Sequence, residues 1–281
     1  MNRIVILGGL LALWLVFGAL SPVFFTVENM LNLARIAGMN GLLALGMTLV
    51  IIAGGIDLSV GSMLALGGAV GAGLLGASYG STPPPVALPA WLAVLTAVAV
   101  CGLAGLMSGL AIVKLDLAPF VVTLGMMTVA RGLTYVFSDF IMRSVPGTAI
   151  TFSHPQFEWL GSGALWSIPA PAVIFLVTIS LAALMLRYTT FGRNIYAVGG
   201  NAELSRLAGI NTGFVLAAAY AISGALAGLS GVVFTARLAS ASPLAGVGYE
   251  LDAIAAVVIG GTSMTGGEGG VWRRSSKTSS S

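Results

Sequence analysis

The sequence predicts an all-α membrane protein: a polytopic helical bundle with about seven complete spans and a short broken helix near the C-terminus. Three observations carry that reading. Of 281 residues, 57% are hydrophobic and only 7% charged; a soluble chain carries about 25% charged residues and needs them to coat its surface. The apolar residues fall in runs long enough to cross a bilayer, which takes about 20 residues of helix. Between the runs lie clusters of Gly, Pro, Ser and Asn that break regular structure. Helix is the form in which an isolated run satisfies its own backbone hydrogen bonds in lipid.

The first run covers residues 4–20, behind Asn2 and Arg3. A charged head and an apolar stretch also mark signal peptides, but Ala19-Leu20-Ser21-Pro22 lacks a small-x-small cleavage pattern and further spans follow at once. A retained helix is therefore expected. Further spans are expected at 34–54, 60–79, 88–113, 118–141, 164–186 and 213–236. A run over 251–259 ends at Gly260-Gly261 and is too short to cross alone. Ser81-Thr-Pro-Pro-Pro85 cannot be helical in its interior and marks an exposed loop. Residues 142–163, with Pro146, Gly147, His154, Pro155, Glu158 and Gly161, read as a second loop. Gly67 and Gly71, Gly105 and Gly109, and Gly224 and Gly228 sit at helix-packing spacing, which points to closely approaching backbones.

The net charge of +3 is small and scattered, which argues against a nucleic-acid partner and for arginines at membrane edges, with lipid as the surrounding partner. If the N-terminus is cytoplasmic, six crossings return residues 187–212 to the cytoplasm. Arg3, Lys114, Arg187, Arg193 and Arg206 then lie inside, against Arg35, Arg143 and Arg237 outside. Cys101 is the one cysteine, so an internal disulfide framework and a Cys-based zinc site are excluded. The chain has no GxxxxGK[ST], HExxH or GxSxG pattern and a single histidine, His154, which reads as a loop residue. No enzyme activity, metal or cofactor is expected. Asp116, Asp139 and Asp252 lie near the ends of runs, where carboxylates cap or snorkel. Arg131, inside the fifth span, must face the bundle interior or an interface, and a pathway role is open to it.

Three constellations stand out. In Gly54-Gly-Ile-Asp-Leu-Ser-Val-Gly61, paired glycines break a helix, and Asp57 and Ser59 sit where they can cap the next one. An ionisable group beside a broken helix also lines polar pathways or hinges, and both readings stay open. The segment around Gly260-Gly261 repeats that logic, and Ile51-Ile-Ala-Gly-Gly55 corresponds loosely to Val257-Val-Ile-Gly-Gly261. The third is the long polar interruption over 187–212. Within it Asn201 is a good N-cap, Gly209 a natural helix stop, and Leu204, Leu207 and Ala208 share a face. Glu203 and Arg206 are spaced to pair. Two turns are too few to be stable alone, so the helix must be held, either along its own bundle or by another protein.

Four long stretches stand in order: Gly46-Met-Thr-Leu-Val-Ile-Ile-Ala-Gly-Gly-Ile-Asp-Leu-Ser-Val-Gly-Ser62, Phe191-Gly-Arg-Asn-Ile-Tyr-Ala-Val-Gly-Gly-Asn201, Arg206-Leu-Ala-Gly-Ile210 and Gly248-Tyr-Glu-Leu-Asp-Ala-Ile-Ala-Ala-Val-Val-Ile-Gly-Gly-Thr-Ser263. Together they resemble the permease subunit of bacterial ribose-type sugar ABC importers. The resemblance implies a multi-pass subunit of the bacterial inner membrane without its own ATPase site. It would work as a pair of copies around a monosaccharide path, with cytoplasmic ATP-binding subunits and a periplasmic sugar-binding protein. It implies that residues 201–209 form the cytoplasmic coupling helix, with Leu204 and Leu207 as anchors, Glu203 and Arg206 at the rim, and Asn201 and Gly209 at its ends. Gly54, Gly55, Asp57, Ser59, Gly260 and Gly261 would lie near the path or a hinge. On this reading residues 1–271 are a permease domain incomplete at its C-terminal end. Residues 272–281 would be a polar, disordered, aberrant tail, where the family pattern continues into further membrane helices. The readings set against it are a secondary transporter or channel for a small polar solute, which would carry coupling-ion carboxylates at midspan, and a non-functional fragment.

Overall fold

The structure is a computed structural model that describes residues 3–75, 87–142 and 149–269. The Pro-rich loop at 81–85, Pro146, Gly147 and the tail at 272–281 lie outside the described residues. Among the described residues the helices are α1 (Arg3–Leu20), α2 (Val27–Ile52), α3 (Val60–Gly73), α4 (Ala90–Leu115), α5 (Pro119–Met142), α6 (Pro155–Ser162), α7 (Ala170–Tyr188), α8 (Thr190–Gly200), α9 (Ala202–Leu207), α10 (Thr212–Leu238) and α11 (Tyr249–Ile259). Two short antiparallel pairs join β1 (Ile150–Thr151) to β4 (Ser240–Ala241) and β2 (Ala164–Leu165) to β3 (Ile168–Pro169).

Among the described residues five helices are long and apolar enough to cross a membrane: α2, α4, α5, α7 and α10. The expected runs at 88–113, 118–141 and 213–236 became α4, α5 and α10 with boundaries within a few residues. The run at 34–54 starts earlier, because Thr26 caps α2 by accepting from the Asn29 amide and Asn29 in turn donates to the Phe24 carbonyl at 2.7 Å. The run at 60–79 gives α3, whose 14 residues span ~21 Å, short of the ~30 Å hydrocarbon core. Every α3 residue is buried, packed against α10, α5 and α4 rather than lipid. In α1 the apolar stretch Gly8–Leu20 stays largely exposed, as lipid-facing residues do.

The span expected over 164–186 begins only at Ala170. Trp166 and Ser167 take positive φ in the β2–β3 hairpin, and Pro169 and Pro171 set the start of α7. The expected loop over 142–163 contains α6. His154 is its N-cap rather than a plain loop residue: its backbone N–H donates to Glu158 Oε1 at 2.9 Å, and the helix drives Phe157 fully into the core.

The centre of the bundle is α10, flanked by α4, α3 and α2. Glycine makes this closeness possible. A methyl at Gly67 would lie 2.6 Å from the Cα of Gly228, and one at Gly109 2.6 Å from the Cα of Ala217. Backbones that approach so near gain dispersion contacts where lipid supplies no hydrophobic drive. Arg131 in α5 faces inward, as its cost in lipid requires. Its Nη1 donates to the carbonyls of Pro243 and Ala245 (2.7 Å to the latter), with Glu250 as a nearby counter-charge.

Candidate functional site

The break between α2 and α3 is clamped from three sides. Gly54 takes φ +88°, and the Gly55 amide donates to the Val50 carbonyl at 2.9 Å, closing α2 as a left-handed glycine stop. A methyl at Gly55 would meet the Tyr220 hydroxyl at 2.3 Å. That hydroxyl donates to the Ile56 carbonyl at 3.2 Å, and Thr123 Oγ1 of α5 donates to the same carbonyl at 3.4 Å.

Asp57 is fully buried, yet it does not cap α3. The N-cap position belongs to Ser59, which makes no side-chain cap bond. The Asp57 carboxylate instead accepts from the Ser59 amide at 3.0 Å and the Ser59 hydroxyl through Oδ1. Through Oδ2 it accepts from the Ser223 hydroxyl of α10 at 2.9 Å. A buried carboxylate must be bonded on its lone pairs to be tolerated. Here those bonds rivet the break to α10, which is why the capping expectation fails.

The second glycine pair closes α11 the same way, one residue out of step with the sequence match. Gly261 takes φ +91°, and the Thr262 amide donates to the Val257 carbonyl at 3.2 Å, so Gly261 rather than Gly260 is the counterpart of Gly54. The chain then returns to the end of α2, where the Gly267 amide donates to the Ile52 carbonyl at 3.0 Å. Gly199, near the end of α8, is wedged at that junction. A methyl on it would lie 1.7 Å from the Ile52 carbonyl oxygen and 2.6 Å from the Gly267 nitrogen. Tyr196 of α8 adds a hydrogen bond to the Gly269 carbonyl at 3.0 Å, and burial pushes its phenol above the ordinary range.

The two ends of α9 match their sequence expectation. Asn201 Oδ1 accepts from the Leu204 amide at 2.9 Å, and Gly209 takes φ +84° just beyond the last turn. Ser205 is the residue turned inward, while Leu204 and Leu207 are 63% and 76% exposed, and Glu203 and Arg206 are exposed beside them. What the sequence reading missed is α8. Thr189 caps it, accepting from the Gly192 amide at 3.1 Å, and Ile195 and Val198 pack into a cluster with Leu49, Ile52, Val215 and Ala219. Apolar residues at 191, 195 and 198 behind a threonine were the available signal. The expected path or hinge residues fall in two places, the clamped break and the α11 glycine stop, and the expected coupling residues lie apart from them on α9, which follows α8 in the chain.

A buried polar break inside a bundle of span-length apolar helices marks a multi-pass membrane protein. A family model described as "Branched-chain amino acid transport system / permease component" matches residues 29–268, and the chain belongs to that family. It is 43% identical to the ribose import permease protein RbsC of Escherichia coli (strain K12) over 260 residues, 92% of this chain and 77% of that protein. It is 41% identical to RbsC of Bacillus subtilis (strain 168) over 261 residues, 93% of this chain and 77% of the relative. The D-allose transport system permease protein AlsC of Escherichia coli (strain K12) is 37% identical over 258 residues, 92% of this chain and 74% of the relative. No solved structure matches the chain significantly.

Proposed function

We propose that this chain is the inner-membrane permease subunit of an ATP-binding-cassette importer for a monosaccharide, ribose-like in kind. It works as a pair of copies, with cytoplasmic ATP-binding subunits that supply energy and a periplasmic sugar-binding protein that delivers substrate. The observation that carries this reading is family membership combined with relatives named for ribose import and D-allose transport that align over nine-tenths of the chain.

The coupling helix is α9. Its open leucine pair, Leu204 and Leu207, seats in a groove of the ATP-binding subunit, Glu203 and Arg206 border the contact, and Asn201 and Gly209 hold the two ends. Burying two leucines that are otherwise in water favours docking by roughly 1.5–3 kcal/mol each. Displacement of α9 passes to α8, whose Ile195 and Val198 sit in the core, and through Gly199 to the end of α2 and to Gly267 in the segment that follows α11. Gly54, Gly55, Asp57 and Ser59 act as the hinge on one side of that junction, and Gly260 and Gly261 on the other. Alternating access follows as these two glycine stops rock the bundle around the path.

The test is co-purification. The chain expressed with its ATP-binding subunit should retain it through affinity purification, and Leu204→Ser with Leu207→Ser should lose it while the membrane fraction stays normally populated. Retention of the partner by the double variant would sink the coupling assignment.

A further inference from the structure

Two adjoining cavities run along the seam between α2 and α11, with volumes of about 280 and 210 Å³. Both are lined by Gly41, Ala44 and Ala256, so they form one trench. The larger is lined by Asn40, Tyr249 and Asp252; the smaller reaches Gly260 and Thr262. Asn40 lies about midway along α2, ~18–20 Å from either end at 1.5 Å per residue. This is the depth of the hydrocarbon core rather than of its edges.

Among the described residues, the Asn40 amide, the Tyr249 hydroxyl and the Asp252 carboxylate have no hydrogen-bond partner or counter-charge. Glu250, two residues before Asp252, is turned the other way, toward Gly61 of α3 and Arg131. The only acid on the trench side of α11 is therefore not committed to that arginine. Asn40 and Tyr249 are half-buried and Asp252 is exposed at the mouth of the trench; at this depth such groups are costly against lipid and favour water or a polar ligand. Their chemistry selects the ligand. A carboxylate accepts from hydroxyls, an amide both donates and accepts, and the Tyr249 ring, held edge-on by Phe234 at 6.2 Å and 86°, offers an apolar flank. No basic side chain lines either cavity, so an anion finds no partner there. The larger cavity is close to the lower bound of about 300 Å³ for small-molecule sites.

The geometry points to the α2–α11 trench as a binding subsite for a neutral sugar, with Asn40 and Asp252 bonding its hydroxyls and Tyr249 flanking the ring. This rests on the importer reading above and moves the substrate contacts away from Asp57, whose carboxylate is fully bonded within the bundle.

Two measurements test it. In the full chain with Cys101→Ala, cysteine placed by Asn40→Cys should react with a water-soluble methanethiosulfonate. D-ribose at high concentration should slow the reaction, and ribose 5-phosphate should not. A cysteine that stays unlabelled, or whose labelling D-ribose leaves unchanged, overturns the subsite whether or not the importer reading holds. In proteoliposomes holding the chain with its ATP-binding subunits and sugar-binding protein, Asp252→Ala should lower D-ribose uptake about tenfold or more, the loss of charge-assisted hydrogen bonds. Asp252→Asn should recover part of it, and ATP hydrolysis and thermal stability should hold. Wild-type uptake rates in Asp252→Ala and Asn40→Leu overturn the subsite. Absence of uptake by the wild-type complex instead counts against the importer reading, and the labelling result still decides the trench.

Discussion

Replacing Gly199 with alanine places a methyl where three backbone segments meet. Its Cβ would stand 1.7 Å from the Ile52 carbonyl oxygen and 2.6 Å from the Gly267 nitrogen. Contact at about 3.5 Å requires the end of α2 to retreat by on the order of 2 Å. That breaks the hydrogen bond from Gly267 to Ile52, now 3.0 Å long. Overpacking costs about 1–3 kcal/mol and the lost bond about 0.5–1.5. The helix preference of alanine returns about 0.5–1, leaving a net loss of about 0.5–4 kcal/mol, centred near 2. The adjacent Gly200 is the control, because nothing lies within 4 Å of a methyl there. Alanine at Gly200 should be neutral or slightly stabilising. Cys101 supplies the assay: it is fully buried, so a thiol-reactive fluorophore reports its unmasking as detergent-solubilised protein is heated. At about 2–4 °C per kcal/mol, Gly199→Ala should unmask several degrees below wild type and Gly200→Ala at or above it. Equal unmasking temperatures for the two variants would refute the wedge.

Asp57→Ala should lower stability in the same assay by about 1–3 kcal/mol, because it leaves the Ser59 and Ser223 hydroxyls buried without their acceptor; Asp57→Asn, which keeps one acceptor oxygen, should cost less, and equal costs would count against the rivet. Asn201→Ala should reduce recovery of the ATP-binding subunit more than Asn201→Gly does, since losing an N-cap to alanine costs about 0.5–2 kcal/mol and to glycine only a few tenths. Tyr196→Phe removes the bond to the Gly269 carbonyl and should speed proteolysis of residues 263–269 without shifting the Cys101 unmasking temperature by more than about 1–3 °C.

Much of the fold was legible because lipid imposes a simple code. Uninterrupted runs of the right length gave α4, α5 and α10, and the ends of α9 followed from the chemistry of Asn201 and Gly209. The misses have physical causes. An all-round apolar pattern cannot distinguish a helix buried in protein from one facing lipid, so the run at 60–79 predicts a complete span where the structure has the short, buried α3. Polar Arg193 and Asn194 and the glycine pair at 199–200 hid α8, whose stability comes from burying Ile195 and Val198 on α2 and α10. The late start of α7 depends on a hairpin too short to leave a periodicity. Asp57 reads locally as a cap; its actual partner, Ser223, lies on a helix far along the chain. For the same reason the trench was invisible, since Asn40 and Asp252 meet only when α11 packs on α2.

ATP-driven import coupled through α9 is tested by D-ribose uptake into proteoliposomes carrying this chain, its ATP-binding subunits and the sugar-binding protein. Such import requires ATP on the side of the ATP-binding subunits and disappears with Leu204→Ser and Leu207→Ser, while the Cys101 unmasking temperature is unchanged. Uptake that persists without ATP, or survives the double substitution, would contradict it.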